Sequence, residues 1–301
     1  MRVLVTGGAG FIGSHTVEQL LELGMFVRVL DNLSTGHRKN LPESHPNFEF
    51  THADIRDPKA VLDAMHSMTH CIHLAAQVSV AKSIKDPLVS NGVNILGFLH
   101  VLEAAQRQSV VKVVYASSAA VYGMPAYLPL DELAPTCPIS PYGLEKLVGE
   151  QYAELYLKLH QLPSLGLRYF NVYGPRQDPS SPYSGVISIF MERSKQGLPI
   201  TIYGDGQQTR DFISVLDVAK VNIAALSSPM TGACNVATGH SVSLLGLVDA
   251  VSSLCGHSSV SHSAARKGDI THSSVTPTLM MKGLGVKNFV SLQEGLKQLF
   301  E

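Results

Sequence analysis

Near its start the chain carries Thr6-Gly-Gly-Ala-Gly-Phe-Ile-Gly13, directly after the apolar run Arg2 to Thr6 and directly before a segment of helical periodicity. This feature limits the fold more than any other. Gly7, Gly10 and Gly13 have the spacing of a strand-to-helix turn that cradles a dinucleotide. The first glycine permits the tight turn and the second lets backbone approach a pyrophosphate. The third lets the helix pack close to the sheet, while N–H groups of the helix start, Phe11 and Ile12 included, face the phosphates.

The pattern that follows is that of an α/β protein. Phe11 to Leu23 has a helical stripe of Ile12, Val17, Leu20 and Leu21, closed by Gly24. Strands are predicted at Met25 to Leu30, Phe48 to His52, Cys71 to Ala76, Val111 to Ala116 and Leu165 to Phe170. Helices are predicted from Asp57-Pro58, over Val89 to Gln106 and over Tyr142 to His160. Strands alternating with helices imply right-handed βαβ units and a doubly wound, mostly parallel, Rossmann-like sheet. Beyond Asn171 comes a proline-rich loop, a helix over Val186 to Gln196 and a strand over Ile200 to Tyr203. Residues 1–170 are therefore expected to form an NAD-binding domain, with returning segments near 209–240, and residues 171–301 a smaller C-terminal substrate domain.

Composition excludes several classes. With 23 basic against 24 acidic residues there is no basic field for nucleic acid and no polybasic stretch for a membrane. The apolar runs read as too short for a membrane span. Four scattered cysteines without CxxC or zinc spacing indicate no metal site and reduced thiols in a cytoplasmic protein. The 13 histidines are expected to be solvated surface residues.

Asp31 closes the second strand, where a carboxylate accepts from ribose hydroxyls and repels a 2′-phosphate, which favours NAD over NADP. A plain turn aspartate next to Asn32 is the alternative. Asp54 and Ile55 follow the third strand and have the right chemistry to flank an adenine, or else form an ordinary strand end.

Ser118, Tyr142 and Lys146 supply a hydroxyl, a phenol and an ammonium. Tyr142 and Lys146 are four apart on one helix face. A free phenol has a pKa near ~10. One ammonium at ~4–5 Å with an effective dielectric of about 20 is worth roughly 3–4 kcal/mol, so Lys146 and the positive nicotinamide ring together are expected to bring Tyr142 into general-base range. Ser118 would relay the proton, with Ser117 as a second candidate. YxxxK also occurs by chance; the glycine turn upstream is what selects the catalytic reading.

These segments resemble the extended short-chain dehydrogenase/reductases, and among them the nucleotide-sugar 4-epimerases of the UDP-hexose type. The likeness spans nearly the whole chain. It is carried by the glycine turn, Asp31-Asn32, Asp54-Ile-Arg56, His73-Leu-Ala-Ala76, Ser117-Ser-Ala-Ala-Val-Tyr-Gly123, Tyr142-Gly-Leu-Glu-Lys146, Arg168-Tyr-Phe-Asn171, Asn171-Val-Tyr-Gly-Pro-Arg176, Tyr203-Gly-Asp-Gly206, Thr209-Arg-Asp211 and Arg266-Lys-Gly-Asp269. The stretch Val275 to Gly285 departs from the family's Ala-Asp-x-Ser-Lys-Ala run. The resemblance implies that Leu74, Ala75, Ala76 and Tyr169 lie beside NAD. It implies that Asn171, Val186, Thr201, Tyr203, Arg210, Arg266 and Asp269 bind the UDP part, with Ser79 near the sugar. It also implies a homodimer joined by a four-helix bundle of the 89–106 and 142–160 helices.

Relatives that dehydrate sugars carry an Asp-Glu pair after the serine; this chain has Ala119-Ala120, and methyl groups cannot protonate a leaving hydroxyl. Epimerisation needs neither acid: the 4-hydroxyl is oxidised onto NAD, the 4-keto sugar swings over and the hydride returns to its other face. In similar epimerases the residue four past the aspartate of RxGD limits the pocket. Here it is Ser273, which leaves room for an N-acetyl group and suggests UDP-GlcNAc and UDP-GalNAc, with UDP-Glc and UDP-Gal as further substrates. The competing readings are a UDP-glucuronate 4-epimerase with Lys82 facing C6, an NAD(P)H-consuming ketone reductase, and a cofactor-binding sensor without turnover.

Overall fold

The computed structural model describes residues 1–178, 185–256, 259–265 and 271–300. Its strands are β1 (Arg2–Thr6), β2 (Phe26–Asp31), β3 (Phe48–His52), β4 (His70–His73), β5 (Lys112–Ser118), β6 (Ser164–Tyr169), β7 (Asn171–Tyr173), β8 (Ile200–Tyr203), β9 (Thr209–Ser214), β10 (Gly232–Val236), β11 (Ser241–Ser243) and β12 (Val260–Ser263). Seven of them form one sheet in the order β10-β6-β5-β4-β1-β2-β3, parallel throughout. Val3, Leu4 and Val5 are buried on both faces, as a central parallel strand requires. The chain runs outward through β2 and β3, then restarts at β4 on the other side of β1. The crevice at this reversal is where α/β sheets of this kind take ligands.

Helices cover both faces. Phe11–Glu22 and Val215–Ser227 bury Val17, Leu20, Val218 and Val221 on one side. Pro58–Met65, the long helix Pro87–Arg107 and Pro141–His160 bury Val61, Met65, Phe98, Val101, Leu102 and Ala153 on the other. The Asp57 carboxylate caps the first of these by accepting from the Lys59 and Ala60 amides, ahead of Pro58. A three-stranded sheet, β11-β9-β7, and a two-stranded pair, β12-β8, complete the described strands. Helices Val186–Lys195, Leu244–Cys255 and Leu292–Phe300 close a separate core around Ile187, Phe190, Ile200, Ile202, Leu247 and Leu296.

Several sequence expectations need correction. The strand expected to reach Ala76 stops at His73, so residues 74–76 are a loop. The long helix starts at Pro87, because Asp86 caps it by accepting from the Val89 amide at 3.1 Å, and it widens into a π turn over Gly92–Leu96. Read whole, that helix is long and apolar enough to cross a membrane, with a mean hydropathy of 1.3, whereas the broken runs of the sequence suggest nothing of the kind. Its Phe98, Val101, Leu102 and Ala105 are nevertheless core residues of the α/β layers. The histidines are not all surface groups: His15, His70 and His73 are buried. All four cysteines are free.

Candidate active site

The glycine turn leaves β1 inside the crevice. Gly7 has φ +72°, and a Cβ there would lie 2.6 Å from the Ala75 amide nitrogen. A Cβ on Gly13 would come 2.1 Å from the Gly7 carbonyl oxygen, so only glycine lets the helix seat this closely. At Gly10 a Cβ would meet only the Gly7 oxygen, at 3.3 Å; that face opens outward. Gly10 is also the helix N-cap and provides no side-chain cap, which leaves the first-turn amides to a ligand. An open backbone cradle at an uncapped helix start fits the pyrophosphate of NAD.

Asp31 braces this turn. Its Oδ2 accepts from the Ala9 amide at 2.9 Å and its Oδ1 from the Leu33 amide at 2.8 Å. Each oxygen keeps a lone pair for a ribose hydroxyl. Asn32 donates to Asp54 at 2.8 Å, and Arg56 grips the same carboxylate through Nε and Nη2. The Arg56 hydrogen bonds hold Asp54 well below the usual carboxylate range. Ile55 turns inward and packs in the core, where its Cδ1 would meet a Cβ on Gly97 at 2.6 Å.

Ser118 ends β5 next to that cradle. Its Oγ accepts from the Ala120 amide at 3.2 Å, which starts the short 3-10 turn Ala119–Tyr122. The Ser118 side chain lies close enough to the Tyr142 phenol to favour its ionised form. Lys146 Nζ lies 5.8 Å from the Tyr142 ring centroid and donates to the Ala116 carbonyl at 2.9 Å. The three residues therefore meet, but their electrostatics differ from the expectation. Burial pushes the Tyr142 phenol up, Ser118 opposes it and the Glu145 carboxylate adds to the rise; Lys146 contributes no lowering. Burial also brings Lys146 down to about 8, against the pull of Glu145. Desolvation wins here because the ammonium is spent on a backbone carbonyl. His73, one strand away, is pushed down to about 3 by burial and then by the Lys146 charge, so it is neutral. The Thr6 hydroxyl accepts from the Ala75 amide at 3.3 Å and sits 2.7 Å from His73 Nδ1, tying the glycine turn to the 74–76 loop.

Other expected residues take different places. Ser117 faces away from Ser118, as neighbours on a strand must. Its hydroxyl donates to Glu150 at 2.6 Å, inside a buried cluster where Arg168 grips Glu150 at 2.8 and 2.7 Å and reaches the Tyr122 hydroxyl. Ser79 is buried and caps Val80–Lys85 by accepting from the Lys82 amide at 2.9 Å. The Tyr169 phenol donates to Asn222 at 2.5 Å between β6 and the Val215–Ser227 helix. Asn171 donates to the Asp211 carbonyl at 2.9 Å, Thr201 pairs with Ser261 at 3.2 Å, and Val186 opens its helix after Gly185. Tyr203 is exposed at the end of β8. Half-buried Arg210 on β9 donates to the Thr209 carbonyl at 2.8 Å. The Ser273 amide donates to the same carbonyl at 3.2 Å, which sets Ser273 beside Arg210. Arg266 and Asp269 lie outside the described residues.

Two organising carboxylates escape the sequence reading. Asp211 is fully buried and gathers the Thr238 amide and hydroxyl and the Gly239 amide. Glu145 accepts from Ser90 and Asn94. The sequence does hold a signal for the second: Ser90 and Asn94 stand four apart in the mostly apolar first half of that helix.

A family model for the NAD dependent epimerase/dehydratase family matches residues 3–237. The chain belongs to that family. NAD is therefore the cofactor of this epimerase/dehydratase family member, in agreement with the open cradle. A UDP-glucose 4-epimerase from Mycolicibacterium smegmatis is 40% identical over 100% of this chain and 98% of its own. A UDP-N-acetylglucosamine 4-epimerase from Methanobrevibacter ruminantium M1, solved with UDP-N-acetylmuramic acid, superposes with a TM-score of 0.95 at 37% identity, covering 99% of this chain and 97% of that one. A UDP-glucose 4-epimerase from Thermus thermophilus, solved with NAD, gives a TM-score of 0.90 at 42% identity over 99% and 97%. Among the possible chemistries of the family, the chain is an NAD-dependent epimerase, an isomerase.

Proposed function

We propose that this UDP-sugar 4-epimerase interconverts UDP-GlcNAc and UDP-GalNAc, and UDP-Glc and UDP-Gal as well. The observation that carries the reaction type is the approach of the Tyr142 phenol to Ser118, directly ahead of Ala119 and Ala120, with Lys146 Nζ 5.8 Å from the Tyr142 ring. Such a pair can relay a proton, and the two methyl side chains that follow Ser118 cannot supply the acid that dehydration needs. NAD, held by the Gly7–Gly13 turn and Asp31, would supply a reversible hydride acceptor for C4. Tyr142 takes the 4-hydroxyl proton through Ser118 and returns it after the sugar has turned. Lys146, its ammonium held by the Ala116 carbonyl, would hold the nicotinamide ribose hydroxyls. Arg210 and Tyr203 on β9 and β8 keep the nucleotide in place while the sugar moves.

The wider substrate range rests on Ser273. Its side chain is small and its backbone is fastened beside Arg210. The relative with the UDP-N-acetylglucosamine name supports the acetylated pair, and the relatives named UDP-glucose 4-epimerase support the plain pair. The test is to incubate purified protein with UDP-GlcNAc and no added NAD. UDP-GalNAc is the expected product; no product even after NAD is supplied rules out the acetylated substrates. A homodimer is part of the same proposal. Leu88, Val89 and Leu96 on the long helix and Leu144, Leu155 and Leu159 on Pro141–His160 expose apolar side chains, which a four-helix bundle would cover. Sedimentation at a single-chain mass would refute it.

A further inference from the structure

Glu145 directly precedes the lysine of the proton-transfer pair, yet it is only 4% exposed. A lone carboxylate so deep is costly unless it is paired. Its Oε2 accepts from the Ser90 hydroxyl at 2.7 Å and from the Asn94 amide at 2.6 Å, both on the long helix. Those two are themselves held. Gln77 donates to Ser90 at 3.1 Å, its backbone amide donates to Asn94 Oδ1 at 2.9 Å, and Asn94 returns a bond to the Gln77 carbonyl at 2.9 Å. One cluster thus joins the helix that carries Tyr142 and Lys146, the helix behind it and the loop after β4 that borders the glycine turn.

The geometry of the helix explains how one segment serves two partners. Successive residues are turned by about 100°, so Lys146 reaches the sheet at Ala116 while Glu145 reaches the long helix. Both point inward because Pro141–His160 is packed on two sides.

We infer that Glu145 is a positioning residue for proton transfer, a buried carboxylate whose clamp on Ser90 and Asn94 fixes the seat of the Tyr142–Lys146 helix and sets its charge beside that pair. This rests on the assignment of Tyr142 and Lys146 as the proton-transfer pair. Every partner of the carboxylate is a donor, which suits its charged form. The effect on the neighbours has one sign: Glu145 raises both Lys146 and Tyr142. The surrounding titratable groups do not duplicate it. His73 across the sheet is neutral. Lys82 and Lys85 on Val80–Lys85 are exposed, Glu150 and Arg168 form a closed pair on the sheet side, and Glu103 on the long helix is taken by Tyr156.

A negative charge favours the protonated form of both residues. Removing it lets Lys146 lose its proton at lower pH and lets Tyr142 ionise at lower pH. Both limbs of the pH profile of kcat/KM should therefore move toward acid. A residue that only packs would lower stability or kcat and leave the limbs where they are.

The experiment uses the protein as purified, with lysine ε-carbons labelled with carbon-13 and the Lys146 resonance assigned by its loss in Lys146→Arg. In Glu145→Gln the Lys146 titration midpoint should fall by roughly half a pH unit or more, as expected for a charge a few ångströms away in a partly polar interior. The alkaline limb of kcat/KM should fall with it. Glu145→Ser removes the same charge with a hydroxyl in its place, and should show the same shift should the Gln variant fail to fold. Glu145→Asp keeps the charge and should show less than half of it. A Lys146 midpoint unchanged in the charge-removing variants overturns the inference. A Tyr142→Phe protein that keeps full activity would instead overturn the underlying assignment, without touching the coupling read on Lys146.

Discussion

The side of the molecule that holds the glycine turn and the side that carries β8, β9 and β12 are built differently. In the first, polar groups are buried and bonded to one another across elements: Thr6 with His73, Glu145 with Ser90 and Asn94, Ser117 and Arg168 with Glu150. In the second, Asp211 is buried in the same way, but the ends that carry the expected nucleotide contacts present part-exposed side chains, as Thr201 with Ser261 and Arg210 with the adjoining Thr209 carbonyl. The contrast fits a division of labour. Proton and hydride transfer need donors and acceptors fixed before the substrate arrives, since misplacement there is costly in rate. Holding a nucleotide while its sugar turns needs contacts that form around the ligand.

The largest effect that would sharpen this contrast is chemical. Tyr142→Phe removes the proton acceptor and should lower kcat by about 10²–10⁴-fold, with UDP binding by calorimetry unchanged. Retained turnover would remove Tyr142 from the mechanism. Next in size is structural. Glu150→Gln leaves the Arg168 guanidinium, 7% exposed, without its counter-charge. It should cost about 3–5 kcal/mol in urea unfolding. Arg210→Met on the other side should cost less than about 1 kcal/mol while weakening nucleotide binding. Equal costs at the two positions would mean that the two sides are not built on different principles.

How much of this can be read from the sequence follows the same line. The glycine turn, Asp31 and the Tyr142–Lys146 spacing are local patterns, and the structure brings their residues together. The orientation of Ser117, the burial of Ile55 and the capping role of Ser79 depend on which neighbour packs against them, which spacing alone does not carry. The same holds for charge. Spacing predicts that Lys146 pulls Tyr142 down, but its ammonium is directed at Ala116 and burial moves the phenol the other way. Glu145 is hidden because a charged residue on a helix ordinarily reads as a solvated face; the polar pair Ser90 and Asn94, four apart in a mostly apolar stretch, is the cue to its burial.

A smaller effect appears as a function of pH. His73 ionises near 3 in the folded protein, against 6.5 for the free side chain. The unfolded chain therefore binds a proton that the folded one does not, and stability is full above about pH 6.5 and falls as pH drops toward 3. The slope reaches about 1.4 kcal/mol per pH unit for one such group. His73→Asn, which can still meet Thr6, should flatten the fall in melting temperature between neutral and mildly acid pH. A wild-type slope in His73→Asn would mean that the acid sensitivity lies elsewhere.

The smallest and most selective effect belongs to the open side. Ser273 is held by its backbone, with its amide on the Thr209 carbonyl at 3.2 Å and its own carbonyl accepting from the Ser241 hydroxyl at 2.6 Å. Neither bond involves its side chain, so Ser273→Tyr should leave the strand contacts in place and add bulk beside Arg210. A phenol there subtracts space without supplying a group that the acetamide needs. The expected outcome is a loss of about tenfold or more in kcat/KM for UDP-GlcNAc relative to UDP-Glc, the scale on which pocket shape discriminates. Melting temperature should stay close to that of the parent protein. Equal loss on both sugars would show that the tyrosine disturbs nucleotide binding, and no loss on either would show that residue 273 does not face the sugar.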